Sequence, residues 1–166
     1  DILTAIVKNN SLIVGSGIAF IPEYYKEKGK YFMPYAFSIN EGEEEIINFL
    51  KLGGADYDYP CMDWYLIPKL LKKSYWSEPY YDTGGGNTIM STYSLPLCNQ
   101  QGEVYAIFTA NISLSRFTDM VNELKPYQSS YTFLLSRNGS FLTHPDREKI
   151  MNETIFSVAL SNNDNQ

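Results

Sequence analysis

Apolar residues recur four apart at the start of the chain, with Ile2 and Ile6, and Leu3 and Val7, on one face. That spacing predicts that Asp1–Lys8 is the last turns of a helix. Asn9-Asn10-Ser11 ends it, because Asn tolerates the left-handed conformation. The pattern then changes. Leu12–Phe20 (LIVGSGIAF) is apolar and β-branched with two glycines, which predicts a strand, and Pro22 stops it. Glu23–Lys30 is polar and Tyr-rich and reads as a loop. Tyr31–Ile39 (YFMPYAFSI) is a second strand. Its internal Pro34 has no N–H for a ladder, which predicts an edge strand or a bulge. The acidic run Glu41–Glu45 suits a helix N-terminus. It predicts a short element that buries Ile46, Ile47, Phe49 and Leu50 and breaks at Gly53-Gly54.

Asp63 is placed to N-cap a helix reaching about Lys73. Tyr65, Leu66, Lys69 and Leu70 follow helical spacing, and Pro68 falls in the first turns, where it costs least. Ser77–Asp82 is extended. Thr83-Gly84-Gly85-Gly86-Asn87 is a hairpin loop. Thr88–Leu97 and Val104–Ile112 are strands joined by a turn at Asn99–Glu103 that contains Gly102. Ser113–Leu124 is amphipathic: Leu114, Phe117, Val121 and Leu124 form a stripe suited to packing on a sheet, with Ser113 or Ser115 as cap. Tyr131–Ser136 and Phe141–His144 flank Asn138-Gly139, a two-residue hairpin signal. Pro145-Asp146 opens a helical segment, Ile155–Leu160 suggests another, and Ser161–Gln166 is a polar tail. About seven strands, mostly joined by hairpins and flanked by helices, make an α+β fold with an antiparallel sheet.

Composition narrows the function classes. The 166 residues carry a net charge of −6 with no Lys/Arg cluster. A phosphate backbone would be repelled, so nucleic-acid binding is discarded. A hydrophobic content of 44% supports a core, and 19% charged residues argue against disorder. No run of about 20 apolar residues spans a membrane. The two cysteines, Cys61 and Cys98, have no metal-ligand spacing, and there is one histidine, His144. A bridge between them is possible only outside the cytoplasm. Free buried thiols are the alternative. Asp56 and Asp58 lack the calcium-loop pattern. There is no P-loop, dinucleotide fingerprint or zinc-protease helix, and no catalytic Ser-His-Asp or Cys-His arrangement around His144. No cofactor and no enzymatic activity are expected.

The candidate chemistry lies between Tyr57 and Asp82. Trp64-Tyr65 opens the helical segment, and Trp76 follows its end. Period-2 geometry puts Tyr80 and Asp82 on one face of a strand. Rings beside one fixed anion suit a small cationic or amphiphilic ligand. The other reading is an ordinary core with a solvated Asp at a strand end.

The order SLIVGSGIAF, YFMPYAF, DWY, WSEPYYD, GGG, TYSLPL, VYAIFTANISLSRF and SYTFLLSRNGSFLTHPD resembles the extracellular double Cache sensor domains of bacterial histidine kinases, chemoreceptors and related phosphatases. The resemblance covers nearly the whole chain. It implies PAS-like lobes on a long N-terminal helix. Residues 1–112 would be a membrane-distal lobe with the end of that helix, 113–128 a linking helix, and 129–166 the start of a truncated membrane-proximal lobe. It implies an extracytoplasmic or periplasmic location, a homodimeric receptor anchored through parent segments, and a small-molecule ligand. Carried over from amino-acid-sensing members, the ligand-binding residues are Tyr57, Trp64, Tyr65, Tyr80, Asp82 and Asn111. Met62 stands where those members have Arg, and Asn111 where they have Asp. Both changes speak against a free α-amino acid, because a carboxylate clamp and an ammonium partner are missing. A small polar or cationic molecule is expected instead. A ligand-free structural or dimerisation module is the alternative reading, and a lectin-like or hydrolytic domain a third.

Overall fold

A computed structural model describes residues 2–41, 44–54, 57–83, 86–124 and 127–163. Asp56 of the considered calcium cluster, Gly84-Gly85 of the hairpin loop, Glu43 of the acidic run and residues 164–166 of the tail lie outside them. Helix α1 (Ile2–Lys8) leads into β1 (Ile13–Phe20), β2 (Met33–Glu41) and β3 (Glu44–Leu52). After α2 (Asp63–Leu71) come β4 (Tyr75–Trp76), β5 (Tyr80–Tyr81), β6 (Ile89–Cys98) and β7 (Val104–Ser113). These strands form one antiparallel sheet in the order β3-β2-β1-β7-β6-β4, with β5 also on β6. Helix α3 (Leu114–Asn122), a hairpin of β8 (Leu134–Leu135) and β9 (Phe141–Thr143), and α4 (Ile155–Asn163) follow. The architecture is the expected α+β fold.

Strand alternation gives the sheet two apolar faces. On one, Ala19, Met33, Tyr35, Leu52 and Ile107 meet Tyr59, and Trp64 and Tyr65 of α2. On the other, Ile18, Ala36 and Phe108 meet Leu3 and Val7 of α1. The positions of β1 that face α2 are Gly15, Gly17 and Ala19. The lack of side chains at the two glycines lets the Tyr35 ring lie across them: a Cβ on Gly15 would stand 2.0 Å from the Tyr35 hydroxyl.

Several expectations are corrected. Strand β2 is internal, not an edge; β1 pairs with it only where Gly15–Gly17 face Phe37–Tyr35, so Pro34 falls outside that register. Glu44–Leu52 is a strand, not a helix start. It folds back on β2 from Glu41↔Glu44 to Met33↔Leu52 and lies at the sheet edge, which leaves Phe49 52% exposed. Met62, not Asp63, holds the N-cap position of α2, where it makes no side-chain capping bond, and Asp63 sits in the first turn. Helix α2 buries Trp64, Tyr65 and Pro68, while Leu66 and Leu70 face out. Of the expected strand Ser77–Asp82 only Tyr80–Tyr81 pairs with β6, and a separate pairing with β6, Tyr75–Trp76, precedes it. Pro79 cannot donate to a ladder, and the Ser77 hydroxyl accepts the Thr92 amide instead at 2.9 Å. The Asn138-Gly139 loop has three residues, with Gly139 at φ 82° and the Ser136 amide on the Ser140 carbonyl at 2.9 Å, a type I turn closed by a left-handed glycine. Among the described residues the sheet and hairpin together hold nine strands, against the seven or so expected. Cys61 and Cys98 are exposed free thiols, neither bridged nor buried.

The linking helix starts as its sequence predicts: the Ser113 hydroxyl accepts the Arg116 amide at 3.4 Å. Ser115 instead accepts Arg147 Nη1 at 2.7 Å, which with an Arg147–Asp119 ion pair fastens the region after the hairpin to α3. Ser113→Ala is expected to cost about 1 kcal/mol. Thermal denaturation should register a fall of a few degrees, and no fall would mean that the cap does not hold the helix.

Candidate functional site

After β5 the chain turns at Asp82, whose amide donates to the Thr88 carbonyl at 3.1 Å while its own carbonyl accepts the Asn87 amide at 3.0 Å. With the backbone fixed on both sides, the carboxylate points inward and is 3% exposed. Its Oδ2 accepts the Gly86 amide at 2.7 Å and its Oδ1 accepts the Tyr57 hydroxyl at 3.2 Å. Two residues earlier, and so on the same face, Tyr80 bonds the Thr92 hydroxyl at 2.6 Å. Thr92 donates to Asn111 Oδ1 at 3.1 Å, and Asn111 Nδ2 donates to the Tyr35 hydroxyl at 2.8 Å. Because Thr92 spends its one proton on Asn111, Tyr80 is the donor in the first of these bonds. Register explains the grouping, since Thr92 on β6 lies opposite Asn111 on β7, and Asn111 opposite Gly15 on β1.

The electrostatics follow from burial. Desolvation pushes the Asp82 carboxyl above its ordinary value, against the pull of the Gly86 and Tyr57 hydrogen bonds. Burial, and then the Asp82 charge, push the phenols of Tyr35 and Tyr57 upward. Tyr80 moves the same way, with burial the leading cause. All three hydroxyls stay neutral donors at physiological pH. Among the described residues no Lys, Arg or His pairs with Asp82. Among the described residues the cluster therefore holds one buried carboxyl group without a cation beside it.

Tyr80 also borders a hollow of about 290 Å³, together with Met62, Trp64 and Glu78. The Trp64 indole Nε1 is buried there without a hydrogen-bond partner among the described residues. Of the six residues singled out in the sequence, Tyr57, Tyr80, Asp82 and Asn111 fall in one cluster, and Trp64 joins them only through the hollow it shares with Tyr80. Tyr65 turns away into the core against Tyr59, at 5.2 Å between ring centroids, with Lys69 over its ring. The six do not line a single cavity: both α2 rings pack on Tyr59, and of the two only Trp64 borders the hollow. Tyr35, Thr92 and Gly86 belong to the cluster and were not read from the sequence. Gly86 was legible only as part of a turn, and the other two need the strand register.

Residues 1–119 match the family described as methyl-accepting chemotaxis protein-like, first PDC sensor domain. The chain belongs to that family. Over 97 residues it is 30% identical to the methyl-accepting chemotaxis protein PscA of Pseudomonas syringae pv. tomato, a match covering 58% of this chain and 15% of PscA. It superposes on the extracellular domain of soHK1S-Z6, a receptor assigned as a histidine kinase, with a TM-score of 0.74 and 29% identity, covering 99% of this chain and 62% of that one. Methyl-accepting chemotaxis protein X gives 0.78 at 24% identity, covering 96% and 63%. Domains of similar fold have been seen with amino acids: PctB of Pseudomonas aeruginosa with L-Arg, at a TM-score of 0.59, and CtaA of Pseudomonas fluorescens with L-serine, also at 0.59. The chain spans only part of every relative named. It is an extracytoplasmic sensor domain of the PDC type with a PAS-like Cache fold, not a catalytic domain. Among the described residues no helix is long and apolar enough to cross a membrane.

Proposed function

We propose that this sensor domain binds a small polar molecule with a cationic group, and that Asp82 is the group that selects it. One observation carries the reading: a carboxylate buried to 3% exposure, without a basic partner among the described residues, ringed by neutral phenols. A buried charge is costly unless it is paired. An amine seated against Asp82 supplies the missing countercharge, and the aromatic rings nearby favour a cation further. The amino-acid complexes of PctB and CtaA support a ligand with an ammonium group. Met62, which borders the hollow, has no guanidinium for a carboxylate. A simple amine therefore fits better than a free α-amino acid. Tyr57, Tyr80, Asn111 and Trp64 complete the proposed contacts, with Tyr35 and Thr92 fixing Tyr80 and Asn111; Tyr65 supports α2 from the core. In this reading residues 1–112 are the membrane-distal lobe and 129–166 begin a proximal one. The parent is a membrane-anchored homodimer, and occupancy biases the position of α1.

The test is a thermal-shift panel of amines, amino acids, organic acids and sugars, since a ligand that binds only the folded state raises the melting temperature. Amine-bearing compounds should give the shifts. No shift in any class would favour the alternative reading of a ligand-free structural or dimerisation module. Shifts confined to acids or sugars would remove Asp82 from the selecting role.

A further inference from the structure

We infer that the groove between the end of α2 and the β8–β9 hairpin is a second binding site, for an amphiphilic carboxylate whose head also carries a hydrogen-bond donor. The groove has a volume of about 830 Å³, within the range that small-molecule sites occupy. Neither Asp82 nor the residues bonded to it line it.

Its lining is mixed in chemistry. Ile112, Leu114, Phe117 and Leu142, from the sheet, α3 and the hairpin, are apolar. Lys73, just after α2, and Arg137, in the β8–β9 turn, line the same groove. Among the described residues neither cation makes an ion pair, although the domain as a whole is acidic, with a net charge of −6. Glu78 and Tyr75 line the groove as well. One Glu78 carboxylate oxygen, Oε2, is buried without a hydrogen-bond partner among the described residues. Burial, and then the charges of Asp63 and Glu78, raise the Tyr75 phenol while Arg137 lowers it, so Glu78 and Arg137 both lie within electrostatic reach of that phenol. An occupant must therefore offer an anion to Lys73 and Arg137, a donor to Glu78, and an apolar body to Ile112, Leu114, Phe117 and Leu142. A medium-chain hydroxy acid has these three parts. A plain hydrocarbon has one, and an amine has the wrong sign for the two open cations.

The probes are 3-hydroxyoctanoate, octanoate, octanol and octylamine, each below its micelle concentration, added to the Asp82→Asn domain so that the proposed amine site does not answer. Two readouts are used: the melting temperature and the emission of Trp76, which lines the groove and is 53% exposed. 3-Hydroxyoctanoate should raise the melting temperature and shift Trp76 emission to the blue, octanoate less, and octanol and octylamine least. Lys73→Ala with Arg137→Ala should weaken 3-hydroxyoctanoate by about tenfold and leave octanol unchanged. Both side chains are exposed, and far-ultraviolet circular dichroism checks that the fold is kept. The site is refuted if none of the four compounds acts, if all act alike, or if the double variant binds the acid as well as the parent does. Octanoate equal to or better than its hydroxy derivative would refute the role of Glu78. Binding of amines lost in Asp82→Asn bears on the other site alone, so the two readings fail separately.

Discussion

Asp82→Asn should weaken amine binding about 10- to 100-fold, the span of one charge-assisted hydrogen bond, while raising the melting temperature of the unliganded domain. The carboxylate is buried with no cation beside it among the described residues, so the folded state carries an unpaired charge that asparagine removes. Asparagine keeps an oxygen for the Gly86 amide and can donate to the Tyr57 hydroxyl, so the turn survives. Asp82→Ala leaves both partners unmatched and should instead destabilise by about 1–3 kcal/mol. The pH dependence has a fixed sign. The folded-state value of Asp82 is raised, so between the ordinary carboxylate value and the raised one the native state holds more protons than the unfolded state. Stability then falls as pH rises through that window, and the contribution is fully present only below it. Asp82→Asn should flatten this slope. Amine affinity should climb over the same window as Asp82 ionises. Calorimetry of both proteins across acidic to neutral pH reads all three effects. An unchanged amine affinity in Asp82→Asn would sink the proposed site.

Gly15→Ala should be the most disruptive single-methyl change in the sheet. The added Cβ would lie 2.0 Å from the Tyr35 hydroxyl and 2.6 Å from its Cζ, so the ring must move. Overpacking of this kind costs about 1–3 kcal/mol, or several degrees of melting temperature for a domain of this size. Tyr35 also receives the Asn111 amide, so moving its ring should loosen Asn111 and weaken ligand binding along with stability. The double variant Gly15→Ala, Tyr35→Leu should recover part of the stability, because the smaller side chain vacates the space. Gly102→Ala is the control. Its φ is 77°, but nothing lies within 4 Å of its Cβ position, so it should show backbone strain without affecting ligand binding. A stable Gly15→Ala domain with full ligand affinity would mean that the ring has room to yield.

Strands written as apolar, β-rich segments between turn signals were legible in the chain. Leu12–Phe20, Thr88–Leu97 and Val104–Ile112 fall within one or two residues of β1, β6 and β7. The turn at Asn99–Glu103, the cap at Ser113 and the glycine of the second hairpin were legible for the same reason: each is set by a few neighbouring residues. Errors came where a local signal met a distant partner. Acidic Glu41–Glu45 resembled a helix start, yet β2 offered a full-length pairing partner and Glu44–Leu52 became a strand. Pro34 resembled an edge marker, yet the ladder from β1 stops before reaching it.

The site divides the same way. Tyr80 and Asp82 share a face by strand geometry alone, and the resemblance added Tyr57 and Asn111, which the structure groups with them. Nothing in the local sequence could show that Asp82 turns inward without a basic partner, that Tyr65 leaves the site for the core, or that Tyr35 and Thr92 tie the cluster together. The chain by itself determined the antiparallel fold class, most of the elements and the carboxylate on an aromatic face, because propensity, period and turn chemistry act within a few residues. Only the tertiary structure decided how deeply that carboxylate is buried, which hydroxyls surround it and why Gly15 has no side chain, because those depend on the register of strands that lie far apart in the sequence.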